Sequence, residues 1–163
     1  MVDDILRRLF PGQHHRYFLP MKIGSTREDA DEGASLILAG IKTATSTTHW
    51  HFPAGRTPFV GALSVVLDGS DTPRGVVETE RGENLAFSAV DATFAFAYGE
   101  GARTLEWWRS EMGDWYRADA ARHGEAFDAD TIIICVVQVG KALRWRLRRG
   151  GLTFPRDVSS WHV

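Results

Sequence analysis

Two short apolar runs on either side of a turn constrain the fold of this chain most strongly. Residues 59–67 and 74–80 are rich in valine and leucine, and the segment 68–73 between them contains two aspartates, a glycine and a proline. Strand-forming runs separated by such turn residues predict a β-hairpin. A hairpin pairs its strands antiparallel, so the sequence argues against a sheet built from repeated parallel βαβ units.

Helical patterns flank this hairpin on both sides. Residues 27–39 carry apolar side chains at helical spacing, with Ser25 or Thr26 as the N-cap and Gly40 at the C-terminal end. Residues 89–98 predict a short helix, and residues 105–123 predict a longer one that begins after Thr104. Interleaved strands and helices of this kind predict an α+β fold around an antiparallel sheet or small barrel.

The totals restrict the class of protein. A chain of 163 residues with a net charge of -2 predicts one globular domain without a generally basic surface. Cys135, the single cysteine, has no partner for an internal disulfide and falls in an apolar strand. The sequence has no apolar run long enough to span a membrane and no secretory pattern at Met1, so we expect a cytoplasmic protein without a membrane partner.

The segment 40–48 concentrates more potential chemistry than any other. It holds Lys42 among five serine and threonine side chains directly after the first helix. A neighbouring amine can activate a hydroxyl nucleophile, which makes Lys42 and Thr45 a candidate catalytic pair. In a regular strand these positions point to opposite faces, so the pair needs a bend after Gly40. The alternatives are a lysine that binds a polar ligand and a strand edge protected by lysine.

Three further patterns suggest function. Glu100 lies between Gly99 and Gly101, where the backbone can approach another segment closely, although a plain helix connection explains this pattern too. Trp50 follows the lysine segment in a loop, where an aromatic ring can stack on a base or fold onto the core. His49 and His51 have a metal-binding spacing, but no third ligand is evident nearby, and we predict no metal site and no cofactor.

A basic segment lies near the C-terminus. Arg144, Arg146 and Arg148 alternate with apolar residues, and on a strand they would project from one face as a nucleic-acid-binding track. The alternative is a solvated edge strand guarded by cations.

Taken in order, these motifs resemble the ASCH family of PUA-like domains. The resemblance rests on the G-x-K-x-x-T motif at Gly40, Lys42 and Thr45, followed by the Glu78-Thr79 pair, the glycine-rich segment around Glu100, and an apolar strand at 132–137. It implies a small antiparallel or mixed β-barrel with two to three helices packed around it. The corresponding domain spans residues 22–149, with an N-terminal arm at 1–21 and a C-terminal tail at 150–163.

The resemblance also implies a function connected with RNA. Some members of the family are ribonucleases, and a bacterial branch hydrolyses N4-acetylcytidine. Carried over by position, Thr45 would be the nucleophile, Lys42 its activating base and Glu100 an orienting or proton-transferring group. Around them we predict a substrate-binding set: Thr43, Trp50, Glu78, Tyr98 and Arg103. The expected partner is RNA or a nucleoside, and the alternative function is an RNA-binding module without catalysis.

Overall fold

The computed structural model of the chain describes residue 7 and residues 11–52, 56–142, 146–148 and 151–153. In chain order the main elements are α1 (Arg27–Leu38), β1 (Ala44–Thr47), β2 (Leu63–Leu67), β3 (Pro73–Ala86), α2 (Ala92–Tyr98), α3 (Leu105–His123), β4 (Ile132–Ala142), β5 (Arg146–Arg148) and β6 (Gly151–Thr153). Short 3-10 helices occupy His14–Arg16, His49–His51 and Phe87–Ala89. Within these described segments, no helix has the length and apolar character needed to cross a membrane.

One antiparallel sheet organises the fold. Its strand order is β1-β4-β3-β2, and β2 and β3 form the predicted hairpin. The α+β class is therefore confirmed. β5 and β6 form a separate antiparallel pair, which includes residues 151–153 of the predicted C-terminal tail.

The predicted closed barrel is wrong, because the outer edge of β2 is occupied by another segment. Closure would require β2 to pair with β1, at the opposite edge of the sheet. Instead Tyr17 and Met21 form parallel bridges with β2, and the Phe18 and Met21 N–H groups donate to Leu63 and Val65 carbonyls at 2.9 and 2.8 Å. In the part of the chain that the structure describes, the sheet is thus open, and the end of the predicted arm lies along it.

A β-bulge in β3 decides which side chains reach each face. The register steps from Thr79 opposite Gln138 to Arg81 opposite Val137, so two residues of β3 match one of β4. The side chains of directly opposed residues point to the same face of the sheet. Because of the extra residue, Thr79 and Arg81 point to opposite faces, although they are two positions apart. The sequence predicted this strand only over residues 74–80, whereas β3 continues through the bulge to Ala86.

The two faces of the sheet carry different layers. On one face α1 packs Ala34 and Ile37 against Val66 and Val77. On the other face lies a larger aromatic core under α2 and α3, in which Trp108 is fully buried.

Local sequence sets the helix ends. Of the two predicted N-cap residues, Thr26 caps α1, and it forms a reciprocal capping box with Asp29. Thr104 caps α3, as predicted, by accepting from the Trp107 N–H at 3.2 Å. These caps hold α1 and the start of α3 in the positions that border the site described next.

Candidate functional site

A cleft of about 1020 Å³ lies between α1, the sheet and the start of α3. Its floor is the sheet face that carries Ser64, Thr79 and Gln138, which are polar side chains and yet buried. Buried polar groups in a cavity wall suit a polar ligand, because they can exchange hydrogen bonds with it away from water. The remaining wall includes Thr45, Tyr98, Glu100, Trp107 and Trp115.

Lys42 and Glu100 form an ion pair at this cleft. The Lys42 Nζ lies 2.8 Å from Glu100 Oε1, and the lysine side chain is only 1% exposed. The same ammonium donates to the Tyr98 carbonyl at 3.0 Å and lies 3.4 Å from the centre of the Tyr98 ring. That carbonyl belongs to the last residue of α2, where the helix dipole favours a cation.

Burial gives Lys42 an unusual pKa. Desolvation lowers the pKa of Lys42 from 10.5 to about 8, and the attraction of Glu100 opposes only part of that change. Burial also raises the pKa of the Tyr98 hydroxyl, so the ring that faces the ammonium is neutral. A lysine with a pKa this near neutrality can exchange a proton readily, which is a property of catalytic groups.

Two glycines bring Glu100 to the lysine. Gly99 has a φ of 77°, and a Cβ at this position would lie 2.5 Å from the Ile41 carbonyl oxygen and 2.6 Å from the Lys42 Cα. Gly101 has a φ of 52°, and a Cβ there would overlap the Trp107 ring at 2.0 Å. Only glycine fits both positions, so the glycines allow the Glu100 loop to pack directly on the lysine segment.

The Lys42 pKa makes the stability of the fold depend on pH. Between pH 8 and 10.5 the unfolded chain holds the Lys42 proton and the folded chain has released it. The free energy of unfolding therefore rises with pH in this window, by up to about 3 kcal/mol from this group. Urea unfolding measures this effect at pH 7 and at pH 10. From the lower to the higher pH, the free energy of unfolding of wild type should rise by about 2–3 kcal/mol more than that of Lys42→Met. If the two proteins differ in free energy of unfolding by the same amount at both pH values, the lowered pKa is contradicted.

Thr45 reaches the cleft from the opposite side of its strand. Thr45 lines the cleft wall, whereas Lys42 lies behind Glu100 and is not among the described residues that line it. The Lys42 ammonium donates to the Tyr98 carbonyl, and no hydrogen bond joins it to Thr45 in the described structure. In the described structure the Lys42 ammonium therefore contacts Glu100 and Tyr98, and it makes no hydrogen bond through which it would activate Thr45 directly.

The predicted substrate-binding residues are divided between the cleft and other contacts. Tyr98 lines the cleft. Thr43 donates its N–H to the Ala97 carbonyl at 2.8 Å, and Glu78 pairs with Arg16 at 2.5 Å.

Arg103 and Trp50 also have partners outside the cleft. The Arg103 guanidinium lies 3.7 Å from the centre of the Phe96 ring, and the Trp50 indole N–H donates to Asp119 at 2.8 Å. Of the described residues, Thr43, Glu78, Trp50 and Arg103 are not part of the cleft wall.

The predicted arginine track falls partly on undescribed residues. Arg146 and Arg148 belong to β5, which pairs with β6 rather than with the main sheet. Arg144 lies outside the described residues. The role of this segment in nucleic-acid binding stays a prediction.

Sequence reasoning missed a polar cluster at one end of the cleft. His51 lines the cleft and lies 2.7 Å from Asp119, which accepts from Arg122 as well at 3.1 Å. Burial alone would raise the pKa of Asp119, but the hydrogen bonds from Trp50 and His51 lower it below its usual value. The sequence carries a trace of this cluster, since Asp119 and His123 are four residues apart on one helix face.

A family model and two solved structures are similar to this chain. A model of the ASCH domain matches residues 20–138 of the chain. A crystal structure of an ASCH domain from Lactobacillus crispatus JV V101 is similar, with a TM-score of 0.72 and 23% identity over 86% of this chain and 90% of that chain. A protein from Enterococcus faecalis V583 is also similar, with a TM-score of 0.75 and 20% identity over 91% of this chain and 99% of that chain.

At these identities the two structures support the fold alone, and no curated protein matches the chain. The family model, by contrast, spans most of the sequence, from residue 20 to residue 138 of 163. The chain therefore belongs to the ASCH domain family.

Proposed function

We propose that the protein hydrolyses an amide on a modified nucleoside, with an N4-acylated cytidine as the substrate class. The observation that carries the proposal is the ion pair between the buried Lys42 and Glu100 at the wall of the cleft. A carboxylate at the cleft wall that a buried ammonium holds in place supports proton transfer, which amide hydrolysis needs at both the attacking and leaving atoms.

The cleft has room for a planar polar ligand such as a nucleoside. Its volume of about 1020 Å³ is at the upper end of the range for small-molecule sites. Trp107 and Trp115 supply aromatic surface on which a base can stack. The buried side-chain amide of Gln138 can form hydrogen bonds with the edge of that base. The net charge of -2 favours a nucleoside over a long polyanion.

We assign the proton-transfer role to Glu100 rather than directly to Lys42. Glu100 lines the cleft and the lysine lies behind it, so the ammonium holds the carboxylate in place. In the proposed reaction Thr45 Oγ1 attacks the acyl carbonyl and gives its proton to Glu100. Glu100 passes that proton to the leaving amine as the C–N bond breaks, and water then hydrolyses the threonine ester.

A hydrolysis assay tests this proposal with matched variants. We expect wild type to release cytidine and acetate from N4-acetylcytidine, and Glu100→Gln to lose activity by a factor on the order of 10²–10⁴, because glutamine cannot transfer the proton. Glu125→Gln removes an exposed carboxylate just after α3 and should match wild type.

The same assay includes single-stranded RNA as the second ligand. RNA binding without any hydrolysis of acylated cytidines would overturn the amidase proposal and favour the non-catalytic RNA-binding alternative. RNA cleavage that needs Glu100 would instead move the same site to the ribonuclease class.

A further inference from the structure

Three potential metal ligands meet at the end of the cleft, on the side away from Lys42 along β1. One ligand atom from each of His51, Asp119 and His123 lies within 4.8 Å of the others. His51 follows β1 in a 3-10 turn, and Asp119 and His123 are on successive turns of α3. This cluster, called the His51 cluster below, takes no part in the hydrolysis proposed above.

The ligand types and their arrangement suit a transition metal. Two imidazoles and one carboxylate are a common three-ligand set for zinc, with the fourth position left for water or substrate. Ligand atoms bound to zinc at about 2.0–2.2 Å lie at most about 4 Å apart. A separation of 4.8 Å or less therefore requires only small side-chain rotations to close around an ion.

Neighbouring contacts already orient the ligands. His123 Nδ1 lies 2.9 Å from the Asp119 main-chain carbonyl and 3.6 Å from Asp119 Oδ1, so the ring is held beside the carboxylate. The Trp50 indole N–H donates to Asp119 Oδ2 at 2.8 Å, and the Trp115 ring stacks on His51 at 6.1 Å. Such outer contacts fix the orientation of metal-binding side chains.

The metal-free contacts within the cluster can be exchanged for metal bonds. His51 Nε2 and Asp119 Oδ2 share a hydrogen bond of 2.7 Å, and a metal would replace the shared proton. Arg122 also contacts Asp119, but its side chain is 57% exposed and can turn into solvent. His51 lines the cleft, so an ion held here would have an open side toward a bound ligand.

We propose that His51, Asp119 and His123 bind one divalent transition ion of the zinc type, with an open coordination position that faces the cleft. The buried carboxylate of Asp119 supplies the anionic ligand and the two histidines complete the site. The binding is a property of the apo protein and does not depend on which substrate the cleft takes.

Calorimetric titration of tag-free, chelator-treated protein with Zn²⁺ tests the site without substrate. We expect one ion per chain, and an affinity at least about tenfold weaker in both His51→Ala and His123→Ala. His49→Ala is the matched control, because His49 is exposed in the same turn but outside the cluster, and it should bind as wild type does. Near-ultraviolet circular dichroism confirms that each variant is folded.

Cobalt substitution provides a second measurement. Co²⁺ bound by two histidines and a carboxylate in a four-coordinate site should give visible absorption bands that His51→Ala removes. The proposal would be overturned if wild type bound no metal, or if His49→Ala lost as much metal affinity as His51→Ala and His123→Ala. The cluster would then be only a hydrogen-bonded link between β1 and α3. Failure of the amidase assay would not affect this result, since no substrate is present.

Discussion

Replacing Lys42 by methionine should lower turnover of an N4-acylated cytidine by a factor on the order of 10²–10⁴. The ammonium is the group that holds the Glu100 carboxylate at 2.8 Å, and methionine keeps an unbranched apolar side chain, one atom shorter, without the charge. Without that contact the carboxylate can turn toward solvent, and proton transfer loses its geometry. Steady-state kinetics of the two proteins at pH 7 measure the effect.

The fold should survive this substitution. The buried ammonium is costly to desolvate, as its lowered pKa indicates, and a methionine can pack on the Tyr98 ring instead. Arg81→Met is the control: it also removes one positive charge, but from an exposed pair with Glu83 that is not part of the cleft. Unchanged turnover in a folded Lys42→Met protein would remove Lys42 from the proposed site.

Replacing Gly99 by alanine should destabilise the fold by about 2–5 kcal/mol. The backbone is in the left-handed region with a φ of 77°, which costs about 1–2 kcal/mol for an L-residue. The added Cβ would also overlap the main chain of Ile41 and Lys42, which cannot move as a flexible side chain can, and such overpacking costs about 1–3 kcal/mol more. Urea unfolding measures the loss.

Gly40→Ala separates these two contributions. Gly40 has a similar φ of 70°, but a Cβ there would meet nothing within 4 Å, so only backbone strain applies and about 1–2 kcal/mol is expected. Equal losses in the two variants would show that the close approach of the Glu100 loop to Lys42 contributes nothing to stability.

Several parts of the fold could be predicted because their causes are local. The N-cap threonines, the terminal glycines and the hairpin turn act within a few residues, and the structure has the helices and the hairpin where these residues predict them. Glu100 could be singled out for the same reason, since its two flanking glycines indicate a backbone that approaches another segment. The resemblance to the ASCH family rested on the order of such local motifs.

The barrel could not be excluded from the sequence, because closure depends on what occupies the edge of β2. Residues 17–21 carry no strong strand pattern, yet they bind that edge through backbone hydrogen bonds, which any sequence can form. The bulge after Thr79 could not be predicted either. Alternation of apolar and polar residues can indicate a strand, but it does not reveal where one extra residue interrupts the pairing.

By itself, then, the sequence determined the helices, the antiparallel hairpin and the family, and it singled out Lys42 and Glu100 as candidate site residues. Only the tertiary structure decided that these two side chains form a pair while Thr45 faces the cleft separately, and that His51 meets Asp119 and His123. Local preferences act over a few residues, whereas these contacts join positions more than fifty residues apart. Such contacts depend on how α2 and α3 pack against the sheet, and therefore on burial across the whole domain.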